Sequence, residues 1–308
     1  MDDLKKILSK IDTSRPDNCM ELYFSHRISN GENIKYVTHK PAISSDVQNE
    51  IWRTMFSYVN TQLAELSLVE YRPEGALDGE LESISMEAIP AVDVFMQSLT
   101  KEKIKMDLSS LKVQSIDFYC VKITVDSENL YLYRQFPKMK RIRKGFITSI
   151  IDNELNVINN DILGIDGIVD MIGFNDTLYL LNHISLERIF NYRDEFLKKT
   201  KEALGQILSE NVIENIELFT SDCVGDIRVM KRFTSIMTKE RLPLFFENYE
   251  RVVEIVTDLE LDIQFTEDGR LIYREKSQLF HIINLMSDSY FKSLIAQRTG
   301  VALAEGQL

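Results

Sequence analysis

The spacing of hydrophobic residues changes at Ser185, and this change constrains the fold more than any other feature of the sequence. Before Ser185, short runs rich in aromatic and β-branched residues alternate with the turn-forming stretches DSEN, DNEL and NDT. The runs are SIDFYCVKITV (115–125), NLYLYRQF (129–136), RKGFITSII (143–151), IVDMIGF (168–174) and TLYLLN (177–182). Runs at this close spacing predict an antiparallel meander. After Ser185, apolar residues recur at helical spacing from Leu186 to Leu208.

The sequence therefore predicts an α+β fold, in which an N-terminal antiparallel-sheet-bearing part is followed by a mainly helical C-terminal part. A chain of 308 residues suits two domains of ordinary size. We place a mixed β-sheet and helix module at 1–183 and a mainly helical module at 184–308.

Other elements can be predicted on both sides of this change. Upstream, we expect a hairpin formed by 19–28 and 33–40. A helix should follow from a capping box at Ser45 to Leu66, with Trp52 in the core. After it we expect an acidic loop over 71–90 and a short helix over 91–99. Downstream, the patterns predict a helix of about six turns from Ser185, helices over 222–237, 244–257 and 277–297, and a hairpin turning at Asp268–Gly269.

Composition limits the cellular setting and the class of protein. No apolar run approaches the roughly 18 residues that cross a bilayer, and the N-terminus is too acidic for a signal peptide, so we expect a cytoplasmic protein. Three widely spaced cysteines fit neither a disulfide framework nor a zinc site, and are interpreted as buried thiols. A formal net charge of −12 repels nucleic acid at long range, so any contact with it must be local.

Familiar catalytic motifs are missing from the sequence. There is no Gly-Lys dipeptide for a phosphate-binding loop, no G-x-G-x-x-G turn and no G-x-S-x-G elbow. The four histidines are neither paired at i+4 nor placed near cysteines, which disfavours zinc chemistry. His183 precedes the helix expected from Ser185 and is interpreted as part of that junction. We therefore expect no catalytic residues, no metal and no cofactor.

A metal-dependent nuclease is the alternative that needs no histidine, because carboxylates and a lysine can hold Mg²⁺ and orient water. Candidate carboxylates recur through the meander, at Asp161, Asp166, Asp170 and Asp176. Turns between strands also favour aspartate, and we prefer that interpretation. The strand pattern (Asp/Glu)-x-Lys occurs once, at Asp3, in a predicted helix.

The stretch RQFPKMKRIRKG concentrates positive charge in an otherwise acidic chain. Its six cations stand within eleven residues that contain no acid: Arg134, Lys138, Lys140, Arg141, Arg143 and Lys144. Pro137 cannot donate to a sheet ladder, so the run is expected to project as a loop after Phe136. A solvated edge that discourages aggregation would account for two or three of these charges, but six suggest an anionic partner.

We favour nucleic acid as that partner, bound through phosphates without sequence preference, because no recognition helix or stacking platform accompanies the run. An anionic membrane surface, or an acidic protein patch on a membrane partner or a second copy, remains as an alternative. The acidic loop could mask the basic run, although a solvated loop is the simpler interpretation.

The residues from Gly145 to Phe196 carry a family resemblance. Their segment FNDTLYLLN leads directly into HISLERIF, and HIINLMSDSYFKSLI (281–295) continues the likeness. On these residues the sequence resembles the KwaB proteins of the bacterial Kiwa anti-phage defence system. The matching segments are structural and contain no catalytic motif.

This resemblance implies an effector that acts in phage defence with a small membrane protein, KwaA. It implies sequence-independent DNA binding that hinders phage DNA replication and transcription without cleavage. It also implies self-association as a homodimer or higher homo-oligomer, and a position at the inner face of the cell membrane, held there by KwaA. No DNA-contacting residue is carried over from the family, so the six cations are assigned from charge alone.

Overall fold

The computed structural model describes residues 2–14, 20–30, 33–136, 148–151, 154–157, 163–293, 295 and 298–302. The chain divides into two compact units, one formed from residues 1–71 and 76–192 and the other from 72–75 and 193–308. The predicted α+β class is confirmed, because an eight-stranded sheet precedes a mostly helical region.

The sequence runs that were rich in aromatic and β-branched residues form most of the strands of the first unit. The strands within the described residues are β1 (Met20–Asn30), β2 (Asn33–His39), β3 (Ser67–Glu70), β4 (Glu80–Ser85), β5 (Phe118–Val125), β6 (Glu128–Gln135), β7 (Thr148–Ile151), β8 (Glu154–Val157), β9 (Met171–Phe174), β10 (Thr177–Leu180), β11 (Ile213–Glu214), β12 (Gln264–Phe265), β13 (Leu271–Ile272), β14 (Tyr290–Lys292) and β15 (Thr299–Val301).

The eight-stranded sheet has the order β2-β1-β5-β6-β9-β10-β4-β3. Its neighbours are antiparallel except for β3 and β4, which are parallel. The predicted hairpins β1–β2, β5–β6 and β9–β10 are confirmed. A separate antiparallel pair, β7–β8, follows the basic run in the chain.

Helices cover both faces of this sheet. The α-helices that the structure describes are α1 (Asp2–Ser14), α2 (Ser45–Ile51), α3 (Ser57–Leu63), α4 (Pro90–Ser98), α5 (His183–Phe190), α6 (Arg193–Glu210), α7 (Ile216–Gly225), α8 (Ile227–Thr238), α9 (Arg241–Glu247), α10 (Tyr249–Asp258) and α11 (Lys276–Met286). One hydrophobic cluster joins a sheet face to α1, α2 and α3, and another joins the opposite face to α4 and α5.

Burial on both faces explains why β5 reads as an almost continuous apolar run. Tyr119 and Val121 belong to the first cluster, whereas Phe118 and Cys120 belong to the second, because successive side chains of a strand point to opposite faces. Burial raises the pKa of Cys120 far above its usual range, in agreement with an inert thiol.

The helix predicted over 45–66 is confirmed with a change of geometry inside it. Residues Trp52–Phe56 between α2 and α3 are π-helical. This segment places the Trp52 ring against Phe56, with centroids 4.4 Å apart and an interplanar angle of 4°. Trp52 lies in the core, as predicted. The helix is capped by Ser44, one residue before the predicted position.

Five predicted element boundaries are wrong. The helices expected over 222–237 and 244–257 each span a break between two helices, at Asp226 and at Asn248. The supposed acidic loop contains β4, which pairs with β10 and β3. The long helix expected from Ser185 is two helices, since Asn191 adopts the left-handed conformation (φ 55°) between α5 and α6. The last helix ends at Met286 and is followed by the pair β14–β15.

The second unit has its own core. The helices α6 to α11 surround a cluster that includes Phe219, Phe233, Tyr273 and Ile282. A three-stranded sheet, β11-β13-β12, completes it, and the predicted turn at Asp268–Gly269 joins β12 to β13. Among the described residues of both units, no helix combines the length and apolar character needed to cross a membrane.

Candidate nucleic-acid interface

Five of the six predicted cations, Lys138, Lys140, Arg141, Arg143 and Lys144, lie outside the described residues. The structure does describe the residues that lead into them. Arg134 and Gln135 end β6, which is a central strand of the sheet, and Phe136 follows. The basic run therefore begins at one end of a strand that is held on both sides.

Arg134 forms ion pairs within the protein. Its Nε and Nη2 atoms donate to the two carboxylate oxygens of Asp166 at 2.9 and 2.7 Å, and Nη1 donates to Asp170 at 3.0 Å. The Arg134 side chain is 17% exposed. Hydrogen bonds to Asp166 raise the pKa of this guanidinium, which stays charged. One of the six positive charges is thus neutralised by acids of the same unit.

Asp170 connects three parts of the sheet at this point. Its carboxylate accepts hydrogen bonds from the backbone N–H of Gln135 (2.7 Å) and the side-chain amide of Asn182 (3.1 Å), besides that from Arg134. Its backbone N–H donates to the carbonyl of Tyr133 (2.9 Å). The side chain is 1% exposed. A buried carboxylate requires such donors, so Asp170 fixes the end of β6 relative to β9 and β10.

Asp166 also accepts hydrogen bonds from the hydroxyl of Tyr119. This hydroxyl lies 3.1 Å from the Asp166 carboxylate and 2.9 Å from its backbone carbonyl oxygen. Burial alone would raise the pKa of Asp166. The hydrogen bonds and the charge of Arg134, together with the Tyr119 hydroxyl, outweigh burial and lower that pKa. The carboxylate is therefore ionised at neutral pH and remains paired with Arg134.

Phe136 is the last described residue before the five remaining cations of the basic run, and it is anchored on the other side of β6. Its N–H donates to the carbonyl of Asp117 at 2.8 Å, and its ring packs edge-on against Phe24 and Tyr119. The carboxylate of Asp117 accepts from the backbone N–H of Arg27 (2.7 Å) and lies 2.9 Å from Nδ1 of His26. The entry to the basic run is thus fixed by packing and by hydrogen bonds.

Two further arginines, Arg27 and Arg188, lie beside this entry. Arg188 donates to the side-chain oxygen of Gln135 at 3.1 Å. Arg27 donates to the backbone carbonyl of Arg188 at 2.9 Å, near the C-terminal end of α5. Within the described residues, neither guanidinium forms an ion pair. These residues were missed by sequence reasoning because they are 161 positions apart along the chain and meet only through the fold.

In the part of the chain that the structure describes, the carboxylates proposed for a nuclease do not come together as a metal-binding group. Asp161 lies outside the described residues, Asp166 and Asp170 bind Arg134, and Asp176 lies in the β9–β10 turn with a φ of 56°. Asp176 therefore has the turn role that was expected. Across the described ranges, no group of three His, Cys, Asp or Glu residues could hold a metal ion.

His183 and the acidic segment around β4, which were also singled out in the sequence, make contacts within the fold. His183 is the first residue of α5, and its Nδ1 lies 2.7 Å from the buried carboxylate of Glu82 on β4. Its ring stacks on Tyr71 at 5.3 Å, so the junction role is confirmed. Because Glu80 and Glu82 belong to a paired strand, they do not form the free acidic loop on which the masking hypothesis depended.

Comparison with known proteins agrees with the resemblance. The family model described as Kiwa protein KwaB-like matches residues 113–296. The Kiwa protein KwaB of Escherichia coli O55:H7 (strain RM12579 / EPEC) is 24% identical over 196 residues, which cover 61% of this chain and 62% of that protein. The chain thus spans about three fifths of the length of this curated relative. No solved structure matches the chain.

Proposed function

This chain belongs to the Kiwa protein KwaB-like family, and from that membership we propose that it is an anti-phage defence effector that binds DNA through the basic run without sequence specificity. Bound DNA would be hindered as a template for phage replication and transcription. The chain would act as a homo-oligomer at the inner face of the membrane, held there by KwaA.

The observation that supports this proposal is the electrostatic arrangement around β6. Arg134 is paired with Asp166 and Asp170, so its charge serves to anchor the strand. The charges offered to phosphates are those of the five cations that follow it. Arg27 and Arg188, which lie beside the described end of β6, would add two guanidinium groups, which bind phosphate in a two-pronged geometry.

Sequence-independent binding follows from the chemistry of these contacts. Lysine and arginine bound to phosphates position a protein on DNA but do not distinguish bases. Each neutralised phosphate releases condensed counterions, so five contacts give a log–log dependence of affinity on salt with a slope of about −4.5. Because the protein as a whole is acidic, DNA would have to be held by a local basic surface such as this one.

The test compares two triple charge reversals of equal net charge. The first is Lys140→Glu, Arg141→Glu and Arg143→Glu; the control is Lys101→Glu, Lys103→Glu and Lys112→Glu, at exposed positions of the same unit. Affinity for two unrelated duplexes is measured at two salt concentrations. We expect the first variant to lose DNA binding at both, and the control to change affinity several-fold at most.

Three results would count against the proposal. The first is affinity that does not change with salt, and the second is equal loss of binding in both variants. The third is the appearance of DNA fragments with Mg²⁺ or Mn²⁺, which would support the nuclease alternative. If reversal abolished assembly with KwaA and left DNA affinity intact, the basic run would be a protein-docking surface.

A further inference from the structure

A segment of irregular structure between α4 and β5 exposes both lysine and apolar side chains. Residues 101–112, KEKIKMDLSSLK, form this segment and are named the lysine loop. All four of its lysines are exposed: Lys101, Lys103, Lys105 and Lys112. Within the described ranges, none of the four forms an ion pair. The lysine loop therefore offers ammonium groups that the first unit does not neutralise.

The apolar side chains of the lysine loop fall into two groups. Ile104 packs against the cluster on one face of the sheet and Leu111 against the cluster on the other, so both anchor the loop. Met106 and Leu108 are instead 64% and 40% exposed. Single exposed apolar residues are ordinary on a protein surface. Two of them on one short loop, flanked by lysines, form a combined apolar and basic surface.

Backbone hydrogen bonds hold the base of the lysine loop against the edge of the sheet. The N–H of Lys105 donates to the carbonyl of Thr38 at 3.0 Å, and its carbonyl accepts from the N–H of Lys40 at 2.9 Å. Nε2 of His39 lies 3.2 Å from the hydroxyl of Ser110. The two exposed apolar side chains therefore project from a backbone that is already fixed, so binding would cost little ordering of the loop.

The charge of the lysine loop favours an anionic partner. Its two acids, Glu102 and Asp107, stand against four lysines. Asp107 accepts hydrogen bonds from the hydroxyl and the backbone N–H of Ser109, which lower its pKa and keep it ionised. The loop as a whole still carries net positive charge. Repulsion from the acidic remainder of the protein is screened beyond about 8 Å at physiological salt.

The two exposed apolar side chains distinguish a lipid surface from nucleic acid. Phosphates of both partners attract lysine, but only a bilayer has an apolar layer directly beneath its phosphates. The lysine loop contains no arginine for two-pronged binding of phosphate and no aromatic residue for stacking on bases. Met106 and Leu108 would gain nothing from a duplex, whereas they would be buried among lipid headgroups.

We propose that the lysine loop binds directly to an anionic lipid bilayer, with Met106 and Leu108 inserted at the boundary between headgroups and acyl chains. The four lysines would then lie at the level of the lipid phosphates. This contact requires neither KwaA nor the proposed DNA binding, and it would turn one edge of the sheet of the first unit toward the membrane.

The probes are two vesicle preparations, phosphatidylcholine alone and phosphatidylcholine with about one third phosphatidylglycerol. Cosedimentation of the full chain, without KwaA, measures binding to each. We expect the anionic vesicles to bind at least about tenfold more tightly, and binding to weaken between about 0.1 M and about 0.5 M salt because the lysine contacts are screened. Equal affinity for both preparations, or binding to neither, would overturn the proposal.

Apolar substitutions test insertion without changing charge. Met106→Ser combined with Leu108→Ser should weaken binding to the anionic vesicles about tenfold, because these side chains would no longer enter the bilayer. Leu208→Ser combined with Leu218→Ser is the control, since these leucines of the second unit are 60% and 44% exposed. The control should stay within about twofold of the unmodified chain. Equal effects of the two double variants would rule out insertion by the loop.

Charge reversals separate lipid binding from DNA binding. Lys103→Glu combined with Lys105→Glu should weaken vesicle binding at least about tenfold, whereas Lys198→Glu combined with Lys201→Glu, at exposed positions of α6, should change it about twofold at most. DNA affinity is measured on the same proteins. If the first variant lost DNA binding and kept vesicle binding, the lysine loop would belong to a nucleic-acid surface and the lipid proposal would fail. Vesicle binding without DNA binding in the unmodified chain would contradict only the proposed function.

A fluorescence readout locates the inserted residue while binding is retained. Met106→Trp adds a tryptophan to the loop, and Trp52 is only 9% exposed. Vesicles that contain brominated acyl chains should quench the added tryptophan and shift its emission to shorter wavelength, and should leave the emission of the unmodified chain unchanged. Binding of Met106→Trp to anionic vesicles without this quenching would overturn insertion of the loop.

Discussion

Tyr133 is fully buried on β6, and its hydroxyl group has no hydrogen-bond partner among the residues that the structure describes. Tyr119 on the neighbouring strand β5 differs, because its hydroxyl binds Asp166. An unsatisfied buried polar group is destabilising, whereas a hydrogen bond to a charged group stabilises. The two tyrosines therefore form a matched pair for measuring how a buried hydroxyl group contributes to the free energy of unfolding, with and without a hydrogen-bond partner.

We expect Tyr133→Phe to raise the free energy of unfolding by about 1 kcal/mol and Tyr119→Phe to lower it by about 2 kcal/mol. Chemical denaturation of both variants in one buffer measures the difference. A loss of stability in Tyr133→Phe would show that its hydroxyl has a partner in solution, such as a bound water.

The aspartates of the meander also separate into two roles. Asp170→Asn places an amide opposite three hydrogen-bond donors and removes a charge from Arg134, so we expect a loss of about 3 kcal/mol. Asp176→Asn should change stability little, because asparagine tolerates the left-handed conformation of that turn. Thermal unfolding compares the two, and similar effects would contradict the assigned roles.

His39 makes the stability of the first unit depend on pH. Burial lowers its pKa, and protonation would place an N–H at Nδ1, an atom with no hydrogen-bond partner in the described part of the chain. Because the folded-state pKa is below the unfolded value near 6.5, this contribution is present above that pH and is lost as pH falls. His39→Gln should therefore lose less Tm between pH 7.5 and 5.5 than the unmodified chain. Parallel Tm profiles would contradict this expectation.

At the scale of elements, β9 depends on a glycine. A Cβ atom built on Gly173 would lie 2.8 Å from the terminal carbon of Met86 and 3.1 Å from the ring of Tyr133. Met86 has a flexible side chain, but the Tyr133 ring packs between Phe95 and Phe190 and cannot move easily. The glycine therefore allows an aromatic ring to lie over the strand.

We expect Gly173→Ala to destabilise the fold by about 2 kcal/mol through this overpacking. Gly205→Ala is the control, because its Cβ would meet nothing within 4 Å and would favour the helix α6. Urea unfolding of both variants measures the contrast. Equal stability would mean that the Tyr133 ring relaxes without loss of packing.

At the scale of the whole molecule, each unit has its own core. Trp52, the single tryptophan, lies in the core of the first unit, so its fluorescence reports the unfolding of that unit. Ile123 and Ile282 are fully buried in the first and second cores. Each isoleucine-to-alanine change should cost about 3 kcal/mol. Ile282→Ala should shift the circular dichroism transition more than the fluorescence transition, and Ile123→Ala should shift both. If the circular dichroism and fluorescence transitions shifted equally in both variants, the two cores would unfold together and not separately.

The sequence was sufficient to predict the fold class, the central hairpins and the core position of Trp52, because these follow from local patterns of burial. It was not sufficient for β4, whose glutamates resemble a loop until pairing with β10 buries Glu82. It also could not reveal the break at Asn191, since the apolar spacing continues past it. Tertiary contacts decide these positions.

The candidate site was predictable only as a local concentration of charge. The pairing of Arg134 with Asp166 and Asp170 joins residues 32 and 36 positions apart, and that of Arg27 with Arg188 joins more distant ones. No spacing rule relates such positions before the sheet order is known. The fold therefore pairs one cation of the predicted set with acids of the same unit, and it brings Arg27 and Arg188 beside the end of β6.

The internal pairing of Arg134 gives this cation a weaker sensitivity to ionic strength than cations that face solvent. Solvent-facing cations are screened within about 10 Å at 0.1 M salt, whereas a half-enclosed guanidinium clamped by two carboxylates is screened far less. Concentrated electrolyte should therefore elute a polyanion from the protein and leave the scaffold beneath intact. DNA bound as proposed could then be released and bound again by the same folded molecule, because the change in salt would not unfold it.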